Sequence, residues 1–209
     1  MLKTPTFDLE RQYPAPVAGI DEAGCGPWAG PVVAAAVIID QQKFPSSFSH
    51  RVKDSKKLSK KQREILYHEL IAHPSVIYHI GIATVAEIDA LNISQATQLA
   101  MMRAVKGLPT LPFCALVDGI RKPALDCLVH TVIKGDQTSF SIAAASILAK
   151  VTRDGIMQAL HHEYPAYGWQ KNAGYGTVYH IQALQVHGVT THHRRSFAPI
   201  RALLSNSPL

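Results

Sequence analysis

Residues 17–24 read VAGIDEAG and residues 32–39 read VVAAAVII. The second stretch is a continuous apolar run, strand-sized and rich in Val, Ala and Ile. That composition suits a strand covered by other elements on both faces. The first is a shorter strand, Val17–Ala23, that carries two neighbouring acids, Asp21 and Glu22. Gly24, Gly26, Pro27 and Gly30 punctuate the segment between them, so the chain turns there. A sheet covered on both sides, with acids at the end of one strand, is the frame for everything else.

Working outward, Ser59-Lys60-Lys61-Gln62 has the spacing of a capping box, which predicts a helix to about Ala72, before Pro74. Val76–Ala83 is a third strand. Thr84-Val85-Ala86-Glu87 is a second capping box, and a further helix is expected from Ser94 to Lys106, stopping at Gly107. Ala115–Asp118 and Leu128–Ile133 are short strands. The longest helical stretch runs from Thr138 to about His162, with the small-residue block SIAAASILAK packed tightly on the sheet. Tyr164–Gly176 reads as a Gly- and Tyr-rich loop, followed by short helices at Thr177–Val186 and Pro199–Leu204. Strands and helices alternate, then helices and loops take over. The expected fold class is therefore α/β with a small helical C-terminal part, divided as residues 1–163 and 164–209.

The 209 residues are 47% hydrophobic and 17% charged, which suits one globular domain rather than a disordered chain. The formal net charge of +6 favours a polyanionic partner. From Tyr164 to Leu209 there is no Asp or Glu, while Lys171, Arg194, Arg195 and Arg201 are present with four histidines. That segment reads as phosphate-facing. Cys25, Cys114 and Cys127 lack CxxC spacing, which argues against a disulfide framework and against a zinc site. No apolar run reaches the roughly 18 residues of a membrane span. The expectation is a cytoplasmic monomer with no membrane partner.

Hydrolysis of a phosphodiester needs an activated water and neutralisation of the leaving oxygen. Two divalent ions roughly 4 Å apart do both, held by acidic oxygen ligands. Asp21 and Glu22 are costly in a core strand unless a cation compensates them. Asp118 likewise ends an apolar strand. Asp136 and Asp154 compete for a fourth place. They are 18 residues apart, roughly 27 Å of helical rise, so they cannot share one metal pair. Asp136, which follows a strand as Asp118 does, is preferred. Asp154 pairs more naturally with Lys150 or Arg153.

GIDEAGCGPWAGPVVAAAVI, DSKKLSKKQRE, LNISQATQLAM, LVDG, VIKGDQTSFSIAAASILAKVTRD, AGYGT and HHRRSFAP follow in the order and spacing of bacterial ribonuclease HII, over about Val17 to Arg201. The resemblance implies a ribonuclease H-like mixed five-stranded sheet flanked by helices. It implies an endoribonuclease that cuts the RNA strand of RNA–DNA hybrids and nicks duplex DNA 5′ of embedded ribonucleotides, leaving 5′-phosphate and 3′-hydroxyl ends. It places metal-binding carboxylates at Asp21, Glu22, Asp118 and Asp136, with two Mn²⁺ or Mg²⁺ ions. It places the reader of the 2′-hydroxyl at Gly24-Cys25-Gly26, a sugar-stacking aromatic at Tyr175, and phosphate contacts at Lys56 and Lys57. Arg194 and Arg195 are taken as further substrate contacts.

Two positions depart from the family pattern. Cys25 stands where the family usually has Arg or Lys, and Asn172-Ala173 where it commonly has His-Lys. A catalytically weak hybrid-binding module is the alternative these departures raise, and the presence of all four carboxylates argues against it. The related ribonuclease HIII and an all-DNA nuclease are further rivals.

Overall fold

The computed structural model describes residues 4–45, 48, 51–52 and 58–205. Five strands form one mixed sheet: β1 (Val17–Ala23), β2 (Val32–Ile39), β3 (Val76–Ala83), β4 (Cys114–Asp118) and β5 (Leu128–Val132), in the order β3-β2-β1-β4-β5. β1 and β3 run antiparallel to β2, while β4 runs parallel to both β1 and β5. The helices are α1 (Lys60–Ala72), α2 (Val85–Leu91), α3 (Ile93–Lys106), α4 (Phe140–Glu163), α5 (Trp169–Asn172), α6 (Val178–His187) and α7 (Ala198–Ser205).

The apolar run of β2 is explained by strand alternation. Ala34, Ala36 and Ile38 share one core with Ala18 and Ile20 of β1 and with Ala96, Ala100 and Ala104 of α3. Ala35, Val37 and Ile39 share the opposite core with Leu66 and Leu70 of α1 and with the alanines of α4. Both faces are dry, so neither carries a polar stripe. Close approach on each face requires a glycine. A Cβ at Gly19 would lie 2.1 Å from the Ser141 carbonyl carbon of α4, and one at Gly81 would lie 2.0 Å from the Ala100 oxygen of α3.

Both capping boxes form, at Ser59 with Gln62 and at Thr84 with Glu87. Asn92 separates α2 from α3 at φ 70° and caps α3 by accepting from the amides of Ser94 and Gln95. α4 begins at Phe140, two residues later than expected, because Gly135–Gln137 closes a 3₁₀ turn and Ser139 caps the helix.

The stretch Tyr164–Gly176 is more ordered than its Gly- and Tyr-rich composition implied. It holds a 3₁₀ turn at Pro165–Tyr167 and the single-turn helix α5. Its aromatics are core residues: Tyr167 and Trp169 stack at 5.0 Å and pack with Ala29, Met157, Ala183 and Ile200. This third core fastens the C-terminal helices to α4 and to the loop after β1. Among the described residues, no helix is long and apolar enough to cross a membrane.

Candidate active site

Asp21 and Glu22 lie inside β1, not beyond its end, and pair in register with Ala35 and Ala34 of β2. Adjacent strand residues face opposite ways. Asp21 turns to the α4 side, where Ser146 donates to it. Glu22 turns to the α3 side, where it helps line a cavity of about 450 Å³ with Cys25, Thr97, Asp118 and Arg121. β4 runs parallel beside β1, with Ile20 opposite Val117. One step further along both strands brings Asp21 level with Asp118, the last residue of β4.

Asp21 is 7% exposed. Burial pushes its carboxyl well above the usual carboxylate range, and the negative charges of Glu22 and Asp118 push it further. Hydrogen bonds from the Glu22 amide (2.7 Å) and from Ser146 oppose this. Asp118 Oδ1 accepts from the Gly135 amide at 2.7 Å. The next residue is Asp136, buried within the 3₁₀ turn. The fold thus draws Asp21, Glu22 and Asp118 into one electrostatic group and sets Asp136 one residue from the amide that holds Asp118. Among the described residues, no three His, Cys, Asp or Glu side chains form a ready-made metal-ligand set. Unscreened acids repel, and Asp21 and Asp118 each spend an oxygen on a main-chain amide. The donors are nonetheless all oxygen, which suits Mg²⁺ or Mn²⁺ rather than a soft ion. Asp154 pairs with Lys150 at 2.7 Å, away from this group.

The loop Gly24-Cys25-Gly26 follows directly. Its carbonyls turn inward onto Arg194, which is fully buried. That guanidinium donates to Gly24 O, Cys25 O (3.1 Å), Gly30 O (3.0 Å) and Pro31 O (3.3 Å). Arg153, also buried, donates to the carbonyls of Ala29, Pro31 and Ala173. Desolvation lowers the Arg194 pKa to about 9, helped by the neighbouring charge of Arg153. The expectation that Arg194 touches substrate phosphate is therefore corrected. Its side chain has no solvent face and braces the loop from beneath. Arg195 is exposed. Lys56 and Lys57 lie outside the described residues.

Cys25 is half-buried. Its Sγ lies 3.3 Å from Thr97 Oγ1 and 3.6 Å from Glu22 Oε1. Burial, with the Glu22 charge second, pushes the thiol up to about 11. Tyr175 is 49% exposed, and its ring edges the loop: a Cβ at Gly26 would sit 3.3 Å from Tyr175 Cε1. The exposed aromatic and the glycine loop make one continuous surface beside the carboxylates.

Sequence reasoning missed two groups that organise this surface, Arg153 and the buried pair His180–His193, and placed Arg194 on substrate rather than beneath the loop. It read His192-His193-Arg194-Arg195 as exposed or phosphate-facing, whereas His193 and Arg194 are 1% and 0% exposed. A run of two histidines and two arginines looks like a solvated face. The available signal was the absence of acids nearby combined with glycine-rich loops, whose carbonyls need donors when buried.

Ribonuclease HII is the family whose model matches residues 18–200. The chain is 52% identical over 205 residues to a ribonuclease HII from Rhodospirillum rubrum, covering 98% of this chain and 94% of that one. It is 49% identical over 204 residues to a ribonuclease HII from Granulibacter bethesdensis, covering 98% and 93%. Its structure is similar to the crystal structure of the ribonuclease H2 from Pyrococcus horikoshii OT3, with a TM-score of 0.80 and 29% identity over 91% of this chain and 98% of that one.

Proposed function

The chain belongs to the ribonuclease HII family and is a ribonuclease H enzyme; from that premise we propose how it works and on what. It hydrolyses the RNA strand of RNA–DNA hybrids and nicks duplex DNA on the 5′ side of embedded ribonucleotides. The products are 5′-phosphate and 3′-hydroxyl ends. The observation that carries this reading is the meeting of Asp21, Glu22 and Asp118 at the carboxyl ends of adjacent strands, with the glycine loop immediately after them.

Asp21, Glu22, Asp118 and Asp136 are the residues that would hold two divalent ions, Mn²⁺ or Mg²⁺, whose chemistry is to activate water and to neutralise the leaving 3′-oxygen. The protein does the rest. Ser146 and the Glu22 amide orient Asp21, and the Gly135 amide orients Asp118. The carbonyls of Gly24 and Cys25 are engaged by Arg194, so the loop presents its amide side to a ribose. Without a Cβ on Gly26, backbone can approach a 2′-hydroxyl, the group that separates RNA from DNA; Gly24 is needed on the inner side, where a Cβ would lie 2.1 Å from Arg153 Nε. Tyr175 offers its exposed ring to the following sugar. Arg195, together with Lys56 and Lys57, would contact phosphates and set register without reading sequence.

The test is cleavage of a DNA duplex with one embedded ribonucleotide, with Mn²⁺ or Mg²⁺ and with EDTA, repeated with Asp21→Asn. Cutting 5′ of the ribonucleotide is expected only with metal and only with Asp21. Normal cutting by Asp21→Asn would remove the site assignment, and binding without cutting by the parent protein would favour a hybrid-binding module.

A further inference from the structure

His180 and His193 are buried at 0% and 1% exposure and face each other, Nε2 to Nε2, at 3.0 Å. Two such nitrogens make a hydrogen bond only if one carries the proton and the other does not. The surrounding groups decide which. The Thr190 amide can only donate, and it points at His193 Nδ1 at 3.0 Å, with the Thr190 hydroxyl 2.9 Å from the same atom. His193 Nδ1 is therefore an acceptor and Nε2 carries the hydrogen. Trp169 Nε1–H can only donate, and it points at His180 Nε2 at 3.2 Å. His180 Nε2 is therefore an acceptor and Nδ1 carries the hydrogen. That hydrogen goes to the main-chain carbonyl of Tyr175 at 2.9 Å. The result is a relay with one direction, from Thr190 through His193 and His180 to Tyr175. Every proton in it is assigned by a partner that cannot do otherwise.

The relay ends at the main chain of Tyr175, whose exposed ring borders the glycine loop. The backbone around Tyr175 is also held from the other side: Gly174 O accepts from the Trp28 amide at 2.8 Å, and Gly176 lies against the Trp28 ring. His193 itself pairs with Ala29, and Arg194 N–H donates to Trp28 O. The Tyr175 backbone thus hangs between the Trp28 segment and the histidine pair.

We propose that His193, acting through His180, is a positioning residue for Tyr175, and that this relay sets how well the enzyme handles a single ribonucleotide compared with a continuous hybrid. The inference rests on the reading of Tyr175 as the stacking platform. A duplex with one ribonucleotide offers one productive register, so its cleavage depends on ring and loop being correctly aligned. A long hybrid offers many registers and tolerates a tilted ring.

The experiment is steady-state kinetics on two substrates, a DNA duplex with one ribonucleotide and an RNA–DNA hybrid, with a thermal unfolding scan of each variant. Tyr175→Ala is expected to lower kcat/KM on the single-ribonucleotide duplex about tenfold relative to the hybrid, the scale of one aromatic stack. His193→Phe should lower the same ratio about fivefold, within the range seen for side chains in contact. His193→Gln keeps an N–H at the Nε2 position and should recover the ratio to within about twofold of the parent protein. In the Tyr175→Ala background, His193→Phe should lower the ratio no further. Thr190→Val, which removes one donor to His193 with no change of volume, is the second variant if His193→Phe does not fold; a fall in the same direction of about twofold is expected. Equal loss on both substrates, or a fall of the same size with and without Tyr175, would overturn the relay. An unchanged ratio in Tyr175→Ala alone would instead remove the reading of Tyr175, and the inference with it.

Discussion

The Sγ of Cys25 lies 3.3 Å from the Oγ1 of Thr97, so the side chain at the centre of the glycine loop points inward, toward α3. A basic residue at this position would carry its charge out toward substrate. Cys25→Arg should raise affinity for an RNA–DNA hybrid and steepen its salt dependence by roughly one unit of log–log slope. Hybrid binding by fluorescence anisotropy at several salt concentrations measures this. Unchanged slope and affinity would mean that no phosphate lies within reach of residue 25.

Arg194 and Arg195 are neighbours in opposite surroundings, the first buried and the second exposed. Arg195→Ala should lower the salt slope by about one unit and leave stability within about 0.5 kcal/mol. Arg194→Lys leaves several buried carbonyls without donors and should cost about 3 kcal/mol in urea unfolding. If Arg194→Lys were as stable as the parent protein, the buried brace would be misassigned.

His193 is held neutral inside the fold. Burial, with His180 beside it, lowers its pKa to about 3 from an ordinary 6.5. The groups facing it are His180, His192, Thr190, Tyr167 and Trp169. None is acidic. A depressed folded-state pKa gives stability that is complete above the unfolded value and is lost as pH falls from about 6.5 toward about 3. Between pH 6.5 and 4.5 this residue should account for a loss on the order of 2 kcal/mol. The pH dependence of denaturant unfolding should be shallower in His193→Gln across that window, and parallel curves would count against the assignment.

Asp21 is a buried carboxyl beside Glu22 and Asp118, an arrangement that the proposed cations would relieve. Asp21→Asn removes one buried negative charge from the group with Glu22 and Asp118. It should stabilise the metal-free protein by about 1 kcal/mol, roughly 3 °C in Tm. The same variant should lose the rise in Tm that the parent protein shows on addition of Mn²⁺ or Mg²⁺. A variant less stable without metal, yet still stabilised by it, would contradict the proposed role.

Gly19 is the point where α4 touches β1. Gly19→Ala places a methyl 2.1 Å from the Ser141 carbonyl carbon, main chain that cannot swing aside. The helix must shift, at about 3 kcal/mol. Because Ser146 of α4 donates to Asp21, the shift should lower cleavage as well as stability. Cleavage rate and unfolding free energy measured on the same sample decide whether the two losses travel together.

Much of the sheet was legible because each strand advertised its environment. β2 has no polar residue because α3 and α4 cover both its faces, and the two capping boxes fixed the starts of α1 and α2. Asp21, Glu22 and Asp118 stood out for the opposite reason, as acids placed where apolar residues belong. The parts that sequence misjudged depend on partners far away in the chain. Tyr167 and Trp169 looked like loop aromatics until Ile200 and Met157 closed over them. Arg194 looked like a phosphate contact because its real partners, carbonyls between Gly24 and Pro31, have no side-chain signature. Ala173 lies in left-handed backbone at φ 48°, which no local residue pattern announced.

Arg194 bonds to Cys25 across a sequence separation of 169, and to Gly24 across 170. A ribosome adding about 5–20 residues per second needs roughly 10–30 s to make the one after the other. Throughout that interval the nascent chain carries Asp21 and Glu22 but has no brace for the loop that follows them. The brace therefore joins the loop only after all five strands of the sheet have been made.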